Sequence, residues 1–407
     1  VLAVVVVAAL CAVAAVRLSS HPLPTGGGPD TELTLDECEE ATGTTTVPGV
    51  AADATEADEA PSCQDVLRRH IEALEPGEVL RIGPGRYDIG TVVVRDLAGT
   101  ADDRIEVTAL DPGRPPELVG SLHLASAEHV TVSHLDLVAS ERGLPALAMR
   151  CGTGWEVRDA TIRGAADSGA TSNMNISGSQ PEGPSGRDGG ETCPDEPRGF
   201  VVADNCFRDP YTDPALVDHP DIEVRRTRGF YHQLYVSFEG GEGTGGRIVG
   251  NRFQGHHNGA GVKLGNGAHH TLGAWHVQVV GNAFVDGRSA VILHDDVRDN
   301  RIEDNLVVDV SGPTNAGDDL VFYGARLREA SNVVSGTTAY GAAALIGLGP
   351  ERSADLVDGG GNVLVDAADE VLDGELPVAA DGCVAPDALP WPDRPGFGTL
   401  RRGPGPG

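Results

Sequence analysis

The sequence predicts an all-β fold, a single right-handed parallel β-helix in which short strands stack coil upon coil along one axis. Three observations lead there. Apolar runs of three to five residues recur between Gly, Pro, Asp and Ser, too short for helices and the right length for strands. A Gly-Asn-x-Phe motif returns through the second half of the chain, the self-similarity of a solenoid. Hairpin turns such as Asn-Gly, which a meandering sandwich needs between neighbouring strands, are scarce.

The composition fits that plan. Of 407 residues, 40% are hydrophobic but only 4% aromatic, so the expected core is thin, repetitive and aliphatic, without large aromatic plugs. The 55 glycines suit a fold with many turns. The formal net charge is -31, which repels nucleic acid and anionic membranes within a Debye length of about 8 Å. Nucleic acid is therefore excluded as a partner, and a polyanionic ligand needs a local basic patch or bridging cations. Lys263 is the sole lysine; the other cations are arginines. Genome composition or salt adaptation accounts for that bias without a partner.

The N-terminus opens on an apolar run, Val1 to Val16, closed by Arg17. It is shorter than the roughly 20 residues that span a bilayer. Ala12-Val13-Ala14 resembles a signal-peptidase site, so residues 1–17 are expected to be a signal peptide or membrane anchor. The rest of the chain is then secreted or at the cell surface, touching membrane only through that segment if it is uncleaved. Cys38, Cys63, Cys151, Cys193, Cys206 and Cys383 follow. An even count after an export signal reads as disulfides; the local pairs Cys38 with Cys63 and Cys193 with Cys206 are the simplest of the possible pairings.

Residues 18–60 read as a flexible acidic linker, rich in Pro, Gly, Thr, Asp and Glu. The β-helix is expected over 61–375. Its first element is a capping helix: Ser62 is the N-cap, Val66, Leu67, His70, Ile71 and Leu74 fall at helical spacing, and Pro76-Gly77 ends it. Strands follow at Val79-Leu80-Arg81-Ile82, Thr91-Val92-Val93-Val94, Ile105-Glu106-Val107 and Val130-Thr131-Val132. The polar, Gly-rich stretch 165–197 reads as a loop projecting from one coil, and 376–407 as a Pro/Gly-rich tail.

The repeat is clearest in Gly250-Asn251-Arg252-Phe253 and Gly281-Asn282-Ala283-Phe284, with degenerate copies at Asn305, Asn332 and Asn362, spaced by 31, 23, 27 and 30 residues. One asparagine per coil at one corner builds a hydrogen-bonded ladder along the axis. A second strand per coil recurs at Gly261 to Leu264, Ala290 to Leu293, Leu320 to Tyr323 and Ala344 to Ile346.

The helix, the run GEVLRIGPGRYDIGTVVV and the repeated GNxF coils resemble the pectin-lyase-like superfamily over about residues 62–375. The resemblance implies a β-helix that handles polysaccharide. That superfamily includes lyases, glycoside hydrolases, epimerases, esterases and noncatalytic surface proteins, so the activity has to be argued from the site.

With Val262, Leu264, Val291 and Leu293 inward, alternation turns Lys263 and His294 outward, beside Tyr235, Glu239 and Tyr323 on adjoining coils. β-Elimination of a uronate needs a base for the α-proton, a group that neutralises the carboxylate and a proton for the leaving oxygen. Lys263, given a suitably shifted pKa, is the candidate base, with His294 or Tyr323 as proton donor. Tyr235, Glu239 and Arg288 are candidates for holding substrate, and Asp295 with Asp296 for holding a calcium ion. The same region is similar to the family 6 polysaccharide lyases. Lys263 matches their lysine strand and Gly281 to Phe284 their middle strand. His294 stands where their arginine would be, and Asn258-Gly259-Ala260-Gly261 where their calcium-binding acids would be.

The histidines at 256, 257, 269, 270 and 276 lack metal-ligand spacing and read as solvated loop residues. Gly317-Asp318-Asp319 reads as a surface turn. The expected function is thus a monomeric, extracellular lyase acting on a uronate-containing polysaccharide. The alternatives are a noncatalytic secreted or cell-wall β-helix for glycan binding or adhesion, and a glycoside hydrolase or sugar epimerase on the same fold.

Overall fold

Side-chain alternation closes the coil. In the computed structural model the described residues are 31–33, 62–140, 144–164, 172–179, 193–208, 232–265, 273–294, 297–310, 320–325, 331–340, 344–348, 356–365, 377–379 and 381–391. Their strands form a right-handed parallel β-helix. One face is an 11-stranded sheet running from Thr31–Leu33 to Leu356–Gly360. The other sheet has 15 strands and bends within each coil into a second and a third face. Arg252–Leu264 and Ala283–His294 run through both of these faces as single strands.

Parallel register at one-coil spacing puts like residues on like. On the first face Leu80, Val107, Val132, Val157, Val202 and Ile248 form one inward row, all fully buried. The second face buries Phe207, Phe253 and Phe284, whose rings stack at 4.7 and 4.9 Å. Trp155 stacks on Phe200 at 5.0 Å. The expectation of a core without large aromatics is therefore corrected. The chain has few rings, but equivalent positions on successive coils stack them at close to the inter-strand spacing of about 4.8 Å.

The corner between the first and second faces sets that spacing. A left-handed residue occupies it on successive coils: Asp159, Asp204, Gly250, Gly281 and Asp304, at φ of 52, 56, 69, 63 and 53°. Gly250 takes this conformation without strain, and a Cβ there would also have to displace Asp204 Oδ1. From Asp204 onward the next residue is the ladder asparagine, whereas Ala160 follows Asp159 and donates its N–H to Asn205 Oδ1 at 3.0 Å. Asn205 Nδ2 donates to Asn251 Oδ1 at 2.9 Å, Asn251 to Asn282 at 2.9 Å and Asn282 to Asn305 at 3.1 Å. Each Nδ2 also donates to a backbone carbonyl, and each acceptor oxygen takes the preceding asparagine's N–H.

Asn332 does not belong to this ladder. It pairs with Asn300 at 2.8 Å at the corner that enters the first face, where a like backbone bend calls for the same residue. Thr337 takes the next slot after Asn305, and its N–H donates to Asn362 Oδ1 at 3.0 Å.

At the N-terminal end, helix Cys63–Glu72 lies against strand Arg86–Arg95, with Ser62 accepting from the Asp65 N–H at 3.2 Å. At the other end, residues 381–391 fold back over the second face. Val384 and Leu389 pack there with Ala283, Val285, Leu306 and Val308, and Arg252 pairs with Asp381.

The disulfides are Cys151–Cys193 and Cys206–Cys383. The local pairing of Cys193 with Cys206 is thus overturned: Cys193 meets the end of strand Leu147–Arg150, whereas Cys206 opens a second-face strand under the returning tail. Cys63 is also disulfide-bonded, while Cys38 and residues 1–17 lie outside the described residues. Within the stretch read as a loop, Ser172–Ser177 is a strand. Its only apolar inward residues are Met174 and Ile176, so little in the sequence marks it.

Replacing Asn282 by Ala removes two donated and two accepted hydrogen bonds from a site with no access to water. Chemical denaturation should register a loss of about 2–4 kcal/mol; a loss near zero would mean that the ladder is incidental. A second expectation concerns Asp204, whose carboxyl is pushed up to about 6 by burial and then by Asp159 one coil away. A carboxyl raised above its unfolded value binds its proton more tightly when folded, so stability falls as pH rises from about 4 through 6. Asp204 is exposed to solvent at the corner, so the effect should be small. The melting temperature of the natural protein should drop from pH 5 to pH 7.5 by more than that of Asp204→Asn.

Candidate active site

The third face carries the candidate residues. Leu234, Val236, Val262, Leu264, Val291 and Leu293 are fully buried beneath it, so the residues between them point outward. Register places Asn175, Tyr235, Lys263, Ile292 and Tyr323 directly above one another on successive coils. A second outward row, two residues further along, holds Arg95, Arg150, Ser177, Ser237 and His294.

The predicted residues fall unequally on this face. The Lys263 ammonium lies 4.8 Å from the centre of the Tyr235 ring, a cation–π contact. His294 is half-buried, diagonal to Lys263 on the next coil. Arg288 sits at the bend between the second and third faces of the same strand. Tyr323 continues the row by its backbone register. Glu239 lies beyond the strand end at Ser237, exposed on the rim, where its N–H donates to the Glu196 carboxylate at 3.3 Å. Asp295 and Asp296 lie outside the described residues, as do Asp318 and Asp319.

Two further cations, Arg95 and Arg150, were not singled out in the sequence. The Arg150 guanidinium is lowered by burial and by Arg95, against the raising influence of Glu196. A chain of net charge -31 therefore gathers Arg95, Arg150, Lys263, Arg288 and His294 along one face.

His232 was also missed. It stands buried at the start of strand His232–Ser237, opposite Ser172. Its Nδ1 accepts the Ala260 N–H at 3.1 Å, and its ring lies nearly parallel to Tyr235 at 5.9 Å. Burial, then Lys263, His294 and Arg288, holds it well below the usual histidine range. The signal available was the polar pair His232-Gln233 directly before the alternating Leu234 and Val236.

His256 corrects the reading of solvated histidines. It is fully buried, edge-on to Phe284 at 6.2 Å, and a side chain at position 287 would strike its ring. His276 does sit at an exposed corner, at φ 55°. Among the described residues, no group of three or more His, Cys, Asp or Glu side chains could hold a metal. Calcium takes six to eight oxygen ligands, and Asp295 and Asp296, the acids expected to hold it, lie outside the described residues. No described helix is long and apolar enough to cross a membrane.

No family model matches the chain, and no curated protein matches it in sequence. Solved structures do match. An alginate lyase from Paenibacillus sp. str. FPU-7 is 12% identical, with a TM-score of 0.46, over 74% of this chain and 95% of that one. The pectate lyase Pel9A is 12% identical, with a TM-score of 0.44, over 79% and 74%. The Streptococcus pneumoniae surface protein and adhesin PfbA is 11% identical, with a TM-score of 0.42, over 83% and 98%. The parallel β-helix itself is set by the strand pairings of the two sheets.

Proposed function

We propose that the protein is an extracellular polysaccharide lyase that binds a uronate-containing glycan along the third face and cleaves it by β-elimination. The observation that supports this reading most is the setting of the only lysine. Lys263 stands in register between Tyr235 and Ile292, in the row that Tyr323 continues, on the face that carries Arg288 and His294 in an otherwise acidic chain. The disulfides support an oxidising compartment.

The step proceeds as follows. Lys263 Nζ takes the proton α to the carboxylate, and the C–H electron pair passes through the enolate. The bond from C4 to the glycosidic oxygen then breaks, leaving a double bond between C4 and C5. The departing oxygen takes a proton from Tyr323 or His294. Arg288 neutralises the carboxylate as charge builds on it, the role that the described residues do not offer to a calcium ion.

A second reading, a noncatalytic glycan-binding β-helix, draws on one observation: His294 occupies the place of an arginine. Incubation with a panel of uronate polymers, followed by ultraviolet absorbance of the unsaturated product, separates the two. Lys263→Ala should lower turnover by about 10²–10⁴-fold. Binding without product favours the second reading, and full activity in Lys263→Ala removes Lys263 from the mechanism. Chelation with EGTA should leave the rate of the natural protein within about twofold, whereas Arg288→Ala should lower it by about 10²–10³-fold, the scale of one lost charge-stabilising donor. The reverse outcome assigns charge neutralisation to a metal held elsewhere, with Asp295 and Asp296 the first residues to replace.

A further inference from the structure

The mechanism above leaves His232 without a task, yet its chemistry is narrowly defined. The Ala260 N–H occupies the Nδ1 lone pair, so the neutral ring carries its proton on Nε2. That Nε2 is shielded from solvent and meets no acceptor among the described residues, and the whole residue is only 4% exposed. An unmet buried donor is unfavourable. The Oγ of Ser172, its register partner one coil away, is equally buried and also without a partner. Two unmet polar groups side by side mark a place where a folded chain leaves hydrogen-bonding capacity for something else. The three cations that act on this ring are Lys263, His294 and Arg288, the groups assigned to the reaction.

We propose that His232 is a substrate-contacting residue of this groove, its Nε2–H donating a hydrogen bond to the carboxylate of the uronate that Lys263 deprotonates. The inference rests on the lyase reading. The donor is neutral and of fixed tautomer, so it does not compete with Lys263 for the proton, and no proton leaves it. Its hydrogen bond strengthens as the carboxylate takes on enolate charge, so its benefit appears chiefly in kcat. The stacked Tyr235 ring is the side chain that has to shift to admit the sugar.

The test has two arms. Nitrogen NMR of histidine-labelled protein at pH 7 should show His232 protonated on Nε2 alone. Titration with trigalacturonate and with triguluronate should move its Nε2–H resonance downfield for at least one of them. An imidazolium, an Nδ1–H tautomer, or no shift with either trisaccharide overturns the proposal. In the kinetic arm, His232→Ala should lower kcat by about 10²-fold or more with little change in KM. His232→Gln, which can keep a donor near the Nε2 position, should recover part of that without altering the shape of the pH profile. If the alanine variant fails to fold, as followed by its thermal melt, the glutamine variant and the NMR arm decide. Full activity in His232→Ala alongside an inactive Lys263→Ala sinks this inference and spares the lyase reading. Full activity in Lys263→Ala, or no turnover of any polymer, sinks both.

Discussion

The whole molecule depends on axial register, the pairing of each strand with its equivalent one coil away. A slip of one residue would turn every inward aliphatic side chain outward and every groove residue inward. Two devices oppose that slip. The inward rows are nearly homopolymeric, so hydrophobic burial alone tolerates shifts of two residues. The asparagine ladder does not: each side-chain amide reaches one particular amide and one particular carbonyl on neighbouring coils. The buried ladder therefore supplies the specificity that aliphatic rows cannot, and the positions of Lys263, Tyr235 and His294 inherit it.

How much could be read beforehand follows from which features are local. The alternation around Val262 and Val291, the capping helix and the Gly-Asn-x-Phe corners are written in contiguous residues, and they yielded the fold and the outward face of Lys263. What was misread depended on comparison across coils. Asn332 carries the same local motif as Asn305 but stands at another corner, because both corners bend the backbone alike. Strand Ser172–Ser177 is edged with Ser and Asn and becomes legible only once its neighbours are in place. Cys206 pairs across 177 residues because the tail doubles back, and no spacing rule reaches that far. His232 escaped notice because a histidine at the start of a strand looks solvated until its burial and its unmet Nε2 are seen.

The returning tail and the groove occupy different faces of the coil, a consequence of the bend within each strand of the larger sheet. Residues 381–391 cover apolar outward positions on the second face, Val285 and Val308 among them, that would otherwise meet water. The third face carries no such outward apolar row on the Tyr235 and Lys263 coils. Its outward residues there, Asn175, Tyr235, Lys263, Ser177 and Ser237, are polar, aromatic or cationic, with the apolar Ile292 one coil on, and it is the face on which a hydrated ligand can be met by hydrogen bonds and ring faces.

Net charge and local charge pull in opposite directions here, and distance decides between them. Fixed charges more than about 8 Å apart are largely screened at physiological salt, while neighbouring coils are about 4.8 Å apart. A carboxylate bound on the third face meets Lys263, Arg288 and His294 within a coil or two. On the rim, Glu196 gives its oxygens to the N–H groups of Ser179 and Glu239 and acts on Arg150 against burial and Arg95. A strongly acidic protein can thus present one cationic strip, provided that the strip is ordered to within a single coil. The asparagine ladder provides that order.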